Sequence, residues 1–171
     1  MGDSRGPGPL GDGSDDVIPP WERWEIRFAT SGAAVYARQL DFFKIELGSA
    51  GGGSPNVEYA SNLSAAKPAR RLGKPEEEDR LYMSYRNTDS RLAAFDKQLL
   101  GKAGISTDRR LVLQFFSKDL ERQLMTIEAS TPAARGRKPQ EYLKTIFGIR
   151  ETRTGYEFFV VDQFFRSAPS L

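Results

Sequence analysis

A ten-residue segment near the C-terminus, Tyr156 to Phe165, constrains the fold more than any other part of the chain. Its sequence, YEFFVVDQFF, places apolar residues at both odd and even positions. Because the side chains of a β-strand point alternately to its two faces, this strand would be apolar on both. A sheet with helices on one side normally alternates apolar and polar residues instead. The segment therefore predicts either a strand covered on both faces within the chain, or one face that another protein covers.

If the alternation is regular, the segment divides into two apolar sets. One face carries the side chains of Tyr156, Phe158, Val160 and Phe164, and the other carries those of Phe159, Val161 and Phe165. Asp162 falls on the first face, where a carboxylate needs a partner such as an arginine or acquires a raised pKa. We predict a structural, paired Asp162, because a catalytic role would require a second polar group that the sequence does not identify.

Strand-like and helix-like patterns alternate along the chain. Six segments are predicted as strands, namely 24–28, 57–63, 81–85, 111–116, 146–149 and 156–165. Three segments with helical spacing are predicted as helices, namely 31–47, 89–101 and 117–127. The order β-α-β-β-α-β-α-β-β predicts an α+β fold, a two-layer sandwich with a mostly antiparallel sheet of about six strands and about three helices. The first six elements match the ferredoxin-like order.

The chain has 171 residues, which suits one domain. We predict that residues 21–166 form it. Residues 1–20 are rich in Gly, Pro and Asp and are predicted to be a disordered tail, because they cannot bury enough apolar surface to offset their ordering entropy. Residues 167–171 are predicted to fray. Mobile loops are predicted near 48–56, 64–79 and 130–140.

The chain contains neither histidine nor cysteine. Disulfides, zinc–thiolate sites, iron–sulfur clusters and histidine-dependent catalytic triads are therefore excluded. The sequence predicts no metal and no cofactor, and it does not favour an enzyme. No segment is long and apolar enough to cross a membrane, so no membrane partner is predicted. The lack of cysteine fits a reducing compartment, and we expect the cytoplasm.

The apolar C-terminal strand favours a soluble, non-catalytic protein–protein interaction or assembly module. Such a module would be a homo-oligomer or a subunit of a larger complex, held by an apolar sheet face. The predicted partner-binding residues are Tyr156, Phe158, Phe159, Val161, Phe164 and Phe165.

Two alternatives remain open. The first is a nucleic-acid-binding α+β domain that uses basic loops. Its possible anion or nucleic-acid contacts are Lys67, Arg70, Arg71, Arg135, Arg137 and Lys138. Against it, the net charge is only +2, and the acidic run 76–79 offsets the first basic cluster. The second alternative is a carboxylate-dependent enzyme, which would need a polar cleft.

Overall fold

A computed structural model of the chain describes residues 16–84 and 90–166. Residues 1–15, 85–89 and 167–171 lie outside these ranges, and with them most of the predicted N-terminal tail and the predicted frayed C-terminus. The end of the predicted tail, residues 16–20, is described. The Ile18 carbonyl accepts a hydrogen bond of 2.5 Å from Nη1 of Arg23, and Pro20 begins the first helix.

The described residues contain four α-helices and eight β-strands. The helices are α1 (Pro20–Arg23), α2 (Ala33–Phe42), α3 (Ser90–Lys102) and α4 (Lys118–Ala129). The strands are β1 (Trp24–Arg27), β2 (Glu46–Ala50), β3 (Val57–Ser61), β4 (Ala69–Gly73), β5 (Leu81–Met83), β6 (Leu111–Phe116), β7 (Tyr142–Glu151) and β8 (Tyr156–Phe165). The predicted class, a mostly antiparallel α+β sandwich, is confirmed.

The strands form two sheets rather than one. A five-stranded sheet has the order β4-β3-β2-β6-β5, and a three-stranded sheet has the order β1-β7-β8. The strands pair antiparallel except β1 and β7, which run parallel. Because β1 pairs with β7, it does not join the sheet that contains β2 and β3. The first six elements therefore do not assemble in the ferredoxin-like arrangement that their order suggests.

Helix α2 ends five residues before the predicted position at Leu47. The spacing of its apolar residues continues to Leu47, but Lys44 has a left-handed backbone with φ 58°. The amide of Ile45 then donates to the Leu40 carbonyl at 2.9 Å, which closes the helix end. Residues 46–50 are thereby released to form β2, where a loop was predicted from residue 48.

The predicted loop 64–79 contains strand β4 and a short 3-10 turn at Pro75–Glu77. The segment after β4 crosses a second, smaller core on the far side of the five-stranded sheet, formed by Val57, Tyr59 and Phe115. The Tyr59 hydroxyl donates to Glu78 Oε1 at 2.7 Å, and burial together with this bond raises the pKa of Tyr59 to about 12. Arg71 lies 3.9 Å from the centre of the Tyr59 ring and covers it.

One buried core joins both sheets and three helices. It includes Trp24, Leu47, Phe116 and Phe147 from the strands and Leu40, Leu99 and Leu124 from the helices. The inner face of the three-stranded sheet is packed against this core. Its opposite face is directed away from the core and carries exposed side chains.

A buried ion pair joins α1 to α4, and its carboxylate also accepts hydrogen bonds from the three-stranded sheet. Glu128 is 1% exposed and accepts from Nε and Nη2 of Arg23 at 2.9 and 2.6 Å. It also accepts from Nε1 of Trp24 at 3.0 Å and from the hydroxyl of Thr145 at 2.6 Å. Four donors thus satisfy a carboxylate that would otherwise be costly to bury.

A second buried polar cluster joins α2, α3 and β6. The Tyr36 hydroxyl donates to Asp96 Oδ1 at 2.6 Å and accepts from Gln114 Nε2 at 2.6 Å. Gln114 Nε2 also lies 3.3 Å from Asp96 Oδ2. Asp96 is 3% exposed, and burial raises its pKa from 3.8 to about 7 despite these hydrogen bonds.

The turn between β7 and β8 is held against α2. Gly155 has φ 156° in this turn, and a Cβ at this position would overlap the Phe42 ring. We expect Gly155→Ala to lower the free energy of unfolding by about 2 kcal/mol, measured by urea denaturation. Gly136→Ala is the control, because Gly136 also has positive φ but has open space around it. If the two variants lose equal stability, the Phe42 contact does not hold the turn.

Candidate interaction surface

The three-stranded sheet has an outer face, directed away from the core. Its side chains are Glu25 and Arg27 on β1, Lys144, Ile146, Gly148 and Arg150 on β7, and Glu157, Phe159, Val161, Asp162 and Phe164 on β8. The strand register places these residues beside one another, while the intervening residues of β1 and β7 belong to the inner face.

A β-bulge in β8 decides which aromatic side chains reach this face. Phe147 pairs with Val160 and Ile146 pairs with Asp162, so Val161 is an extra residue in β8. An extra residue shifts the alternation of side chains by one position. Asp162 and Phe164 consequently join Phe159 on the outer face, and Gln163 and Phe165 turn to the inner face. The predicted division of the strand is therefore wrong beyond Val161.

The six predicted partner-binding residues are divided between the two faces. Tyr156 and Phe158 lie on the inner face, where Phe158 is 7% exposed and its ring centre lies 4.2 Å from that of Phe43. Phe165 is half-buried beneath Arg137, whose guanidinium lies 4.3 Å from the centre of the ring. These three residues contribute to packing within the chain rather than to one open surface.

Phe159, Val161 and Phe164 remain on the outer face. Val161 is 46% exposed and Phe164 is 47% exposed. A Cβ at Gly148 would lie 2.8 Å from Cζ of Phe159 and 2.9 Å from Cγ2 of Val161. Gly148 thus allows both side chains to lie flat over β7, a cross-strand pairing that stabilises glycine in a sheet. The centre of the outer face is therefore flat and apolar.

Charged side chains border this centre in pairs of opposite sign. Glu25 contacts Nε of Arg27 at 2.7 Å and Nζ of Lys144 at 3.1 Å. Burial alone would raise the pKa of Glu25, but hydrogen bonds from Arg27 and Lys144 outweigh it and lower the pKa below 4.5. On the other side Arg150 contacts Glu157 at 2.6 Å, and its guanidinium lies 4.8 Å from the centre of the Phe159 ring.

Asp162 differs from its predicted environment. It is exposed rather than surrounded by apolar residues, because the bulge places it on the outer face. Its Oδ1 accepts a hydrogen bond of 2.8 Å from the backbone amide of Gln163, rather than from an arginine. Within the described residues no strand other than β7 pairs with β8, which is thus an edge strand. The Asp162 carboxylate thus accepts from one of the backbone amides of this edge, and that amide is not free to pair with another strand.

The predicted basic residues do not come together. Arg70 and Arg71 are successive residues of β4 and point to opposite faces of the five-stranded sheet. Arg70 pairs with Glu58 at 2.9 Å, and Arg71 pairs with Glu46 at 2.6 Å. Lys67 is exposed in the connection before β4. The second cluster, formed by Arg135, Arg137 and Lys138, precedes β7 in the other sheet, and Arg137 contacts Glu141 at 3.5 Å.

A surface depression of about 370 Å³ lies beside the end of α2. Its two carboxylates are already engaged. Asp41 accepts from the backbone amides of Leu63 and Ser64, and Glu46 is paired with Arg71. In the described part of the chain, no three acidic residues gather closely enough to hold a metal ion. None of the described helices has the length and apolar character needed to span a bilayer.

Comparisons with protein-family models, with curated proteins and with solved structures find no match for this chain. Sequence reasoning identified Phe159, Val161 and Phe164 but missed Gly148 and the charged border. A Gly between apolar strand residues, paired in a hairpin with a Phe, is the signal that could have located the flat centre.

Proposed function

We propose that the chain is a non-catalytic interaction module that binds a protein through the outer face of its three-stranded sheet. The observation that carries this proposal is the flat apolar centre formed by Gly148, Phe159 and Val161, with exposed Phe164 beside it. Removing apolar surface from water contributes about 25 cal/mol per Å², from which the entropic cost of association is subtracted. A contiguous apolar area with a charged border is typical of a protein interface.

The charges of the outer face favour a protein over a nucleic acid as the binding partner. The basic residues Arg27, Lys144 and Arg150 are each paired with a carboxylate, either Glu25 or Glu157. A phosphate group would have to compete with these carboxylates. A protein surface that itself carries both signs can instead exchange ion pairs with this border.

The geometry favours a partner that packs on the outer face over one that adds a strand to the edge of β8. Strand addition requires a row of free backbone donors and acceptors along β8. The bulge at Val161 interrupts this row, and the Asp162 carboxylate occupies the amide of Gln163. Bulges and charged side chains are the usual means by which edge strands avoid pairing.

Site-specific photo-crosslinking in the cells that produce the protein tests this proposal. We expect p-benzoylphenylalanine at position 164 to give a crosslinked product of discrete mass. Adding Val161→Asp should abolish that product, because a carboxylate in the apolar centre would be desolvated on binding.

The control places the same crosslinker at Leu72, which is 60% exposed on β4 of the other sheet. Leu72 is a more accessible apolar position than Phe164, and it lies away from the outer face. Equal yields from positions 72 and 164, or a product that survives Val161→Asp, would contradict the proposal.

A further inference from the structure

We infer that the partner of the outer face is a second copy of this chain, packed sheet on sheet about a two-fold axis. This inference rests on the proposed function and identifies its partner. A two-fold contact uses the same surface on both copies, so the surface must be complementary to itself. The outer face is complementary to itself in charge and in shape. Its edge strand β8 also disfavours a different mode of assembly, by strand pairing.

The charges of the outer face sum to zero. Its three basic residues are Arg27, Lys144 and Arg150, and its three acidic residues are Glu25, Glu157 and Asp162. A face with a net charge of either sign would repel an identical copy. A neutral face with both signs around an apolar centre can approach its own copy without that cost.

The shape and the dimensions of the outer face suit this contact. Phe159 and Val161 lie flat over Gly148, and flat faces are what two packed sheets bring together. Strands about 4.8 Å apart, two of ten residues and one of four, span about 400 Å². Two copies would bury about 800 Å², which is below the roughly 1,000 Å² of a stable specific interface and in the range of weak, transient contacts. We therefore expect a weak, reversible dimer.

The edge of β8 does not favour open-ended assembly by strand addition. Strand addition could continue indefinitely from edge to edge, whereas a two-fold contact between faces closes on itself. The bulge at Val161 and the Asp162 carboxylate oppose edge pairing. Face-to-face packing then buries the exposed apolar side chains of both copies in a single contact.

Sedimentation velocity of the purified full chain, from about 1 to 500 µM, tests the inference. The apparent mass should rise toward twice that of one chain with concentration. Val161→Asp should increase the dissociation constant by at least about 10-fold, since it places a charge in the centre. Leu72→Asp introduces the same charge on the other sheet and should leave the dissociation constant unchanged.

Charge reversal gives a sharper test, because it asks whether two outer faces meet. Arg150→Glu changes the net charge of the face from zero to −2, and Glu157→Arg changes it to +2. Both side chains are at least half exposed, with 58% and 50% of their surface accessible, so the fold should be retained, which circular dichroism checks. Each variant alone should associate at least about 10-fold more weakly than the unaltered chain. An equimolar mixture should form a heterodimer, and about 0.5 M salt should abolish this selectivity.

The outcomes separate this inference from the proposed function. A chain that stays monomeric at 500 µM, while the position-164 crosslink to another protein is abolished by Val161→Asp, overturns the inference and leaves the proposed function standing. A dimer unaffected by Val161→Asp and by both charge reversals contradicts the inference, because its interface lies elsewhere. A monomer that also gives no crosslink overturns both.

Discussion

Glu128→Ala is expected to lower the free energy of unfolding by about 3 to 5 kcal/mol, a larger loss than that expected for Gly155→Ala. The substitution leaves Arg23, which is 4% exposed, as a buried cation without its carboxylate. It also removes the acceptor of the Trp24 indole and the Thr145 hydroxyl. Urea denaturation at low protein concentration measures the loss, and an unchanged m-value shows that the unfolded state is not altered.

The control for this prediction is an exposed ion pair. Lys118 and Asp79 are 3.4 Å apart and are 58% and 76% exposed, so Asp79→Ala should cost less than about 1 kcal/mol. A double-mutant cycle with Arg23→Met and Glu128→Gln isolates the ion pair. The double variant should be more stable than Glu128→Gln alone, because it no longer buries an unpaired cation. Equal small losses from Glu128→Ala and Asp79→Ala would contradict a buried role for Glu128.

The second large effect is a dependence of stability on pH that originates at Asp96. Burial raises the pKa of Asp96 in the folded chain to about 7, above the ordinary value of 3.8 that applies to the unfolded chain. The folded state therefore holds this proton more tightly than the unfolded state. The stabilisation is fully present below about pH 4 and is lost as the pH rises to about 7. The difference in pKa corresponds to about 4 kcal/mol over this range.

Asp96→Asn separates this contribution from those of the other titrating groups. An amide of nearly the same shape keeps a hydrogen-bond acceptor for Tyr36 but does not titrate. Stability should be measured by urea denaturation at several pH values from about 4 to 8 in both proteins. The unaltered chain should lose stability relative to Asp96→Asn as the pH rises, and the difference should level off above about pH 7. If the free energy of unfolding depends on pH in the same way in both proteins, burial does not raise the pKa of Asp96.

The sequence predicted much of the local structure, for physical reasons. Alternating apolar and charged residues at Trp24 to Phe28 marked β1, and Ser117 marked the start of α4, where its hydroxyl accepts from the Leu120 amide at 3.1 Å. Local patterns failed at the end of α2. There the left-handed backbone of Lys44 ended a helix that the spacing of apolar residues would have continued.

The candidate surface was predictable only in part. The excess of apolar residues in β8 correctly indicated a strand with more than one apolar face. Regular alternation of side chains could not predict which residues of β8 stay exposed. One bulge residue, Val161, reverses the orientation of every β8 side chain after it. The charged border was also hidden, because Glu25 and Lys144 are far apart in sequence and meet only through the parallel pairing of β1 with β7.

The sequence by itself determined the α+β class, the absence of histidine and cysteine chemistry, and the presence of an apolar C-terminal strand. These properties follow from composition and from the period of local patterns, which short-range geometry converts into strands and helices. Only the tertiary structure decided that β1 pairs with β7, that Arg23 meets Glu128 across 105 residues, and that Phe159, Val161 and Phe164 share an open face. Such pairings depend on the sum of long-range contacts, and no local pattern encodes that sum.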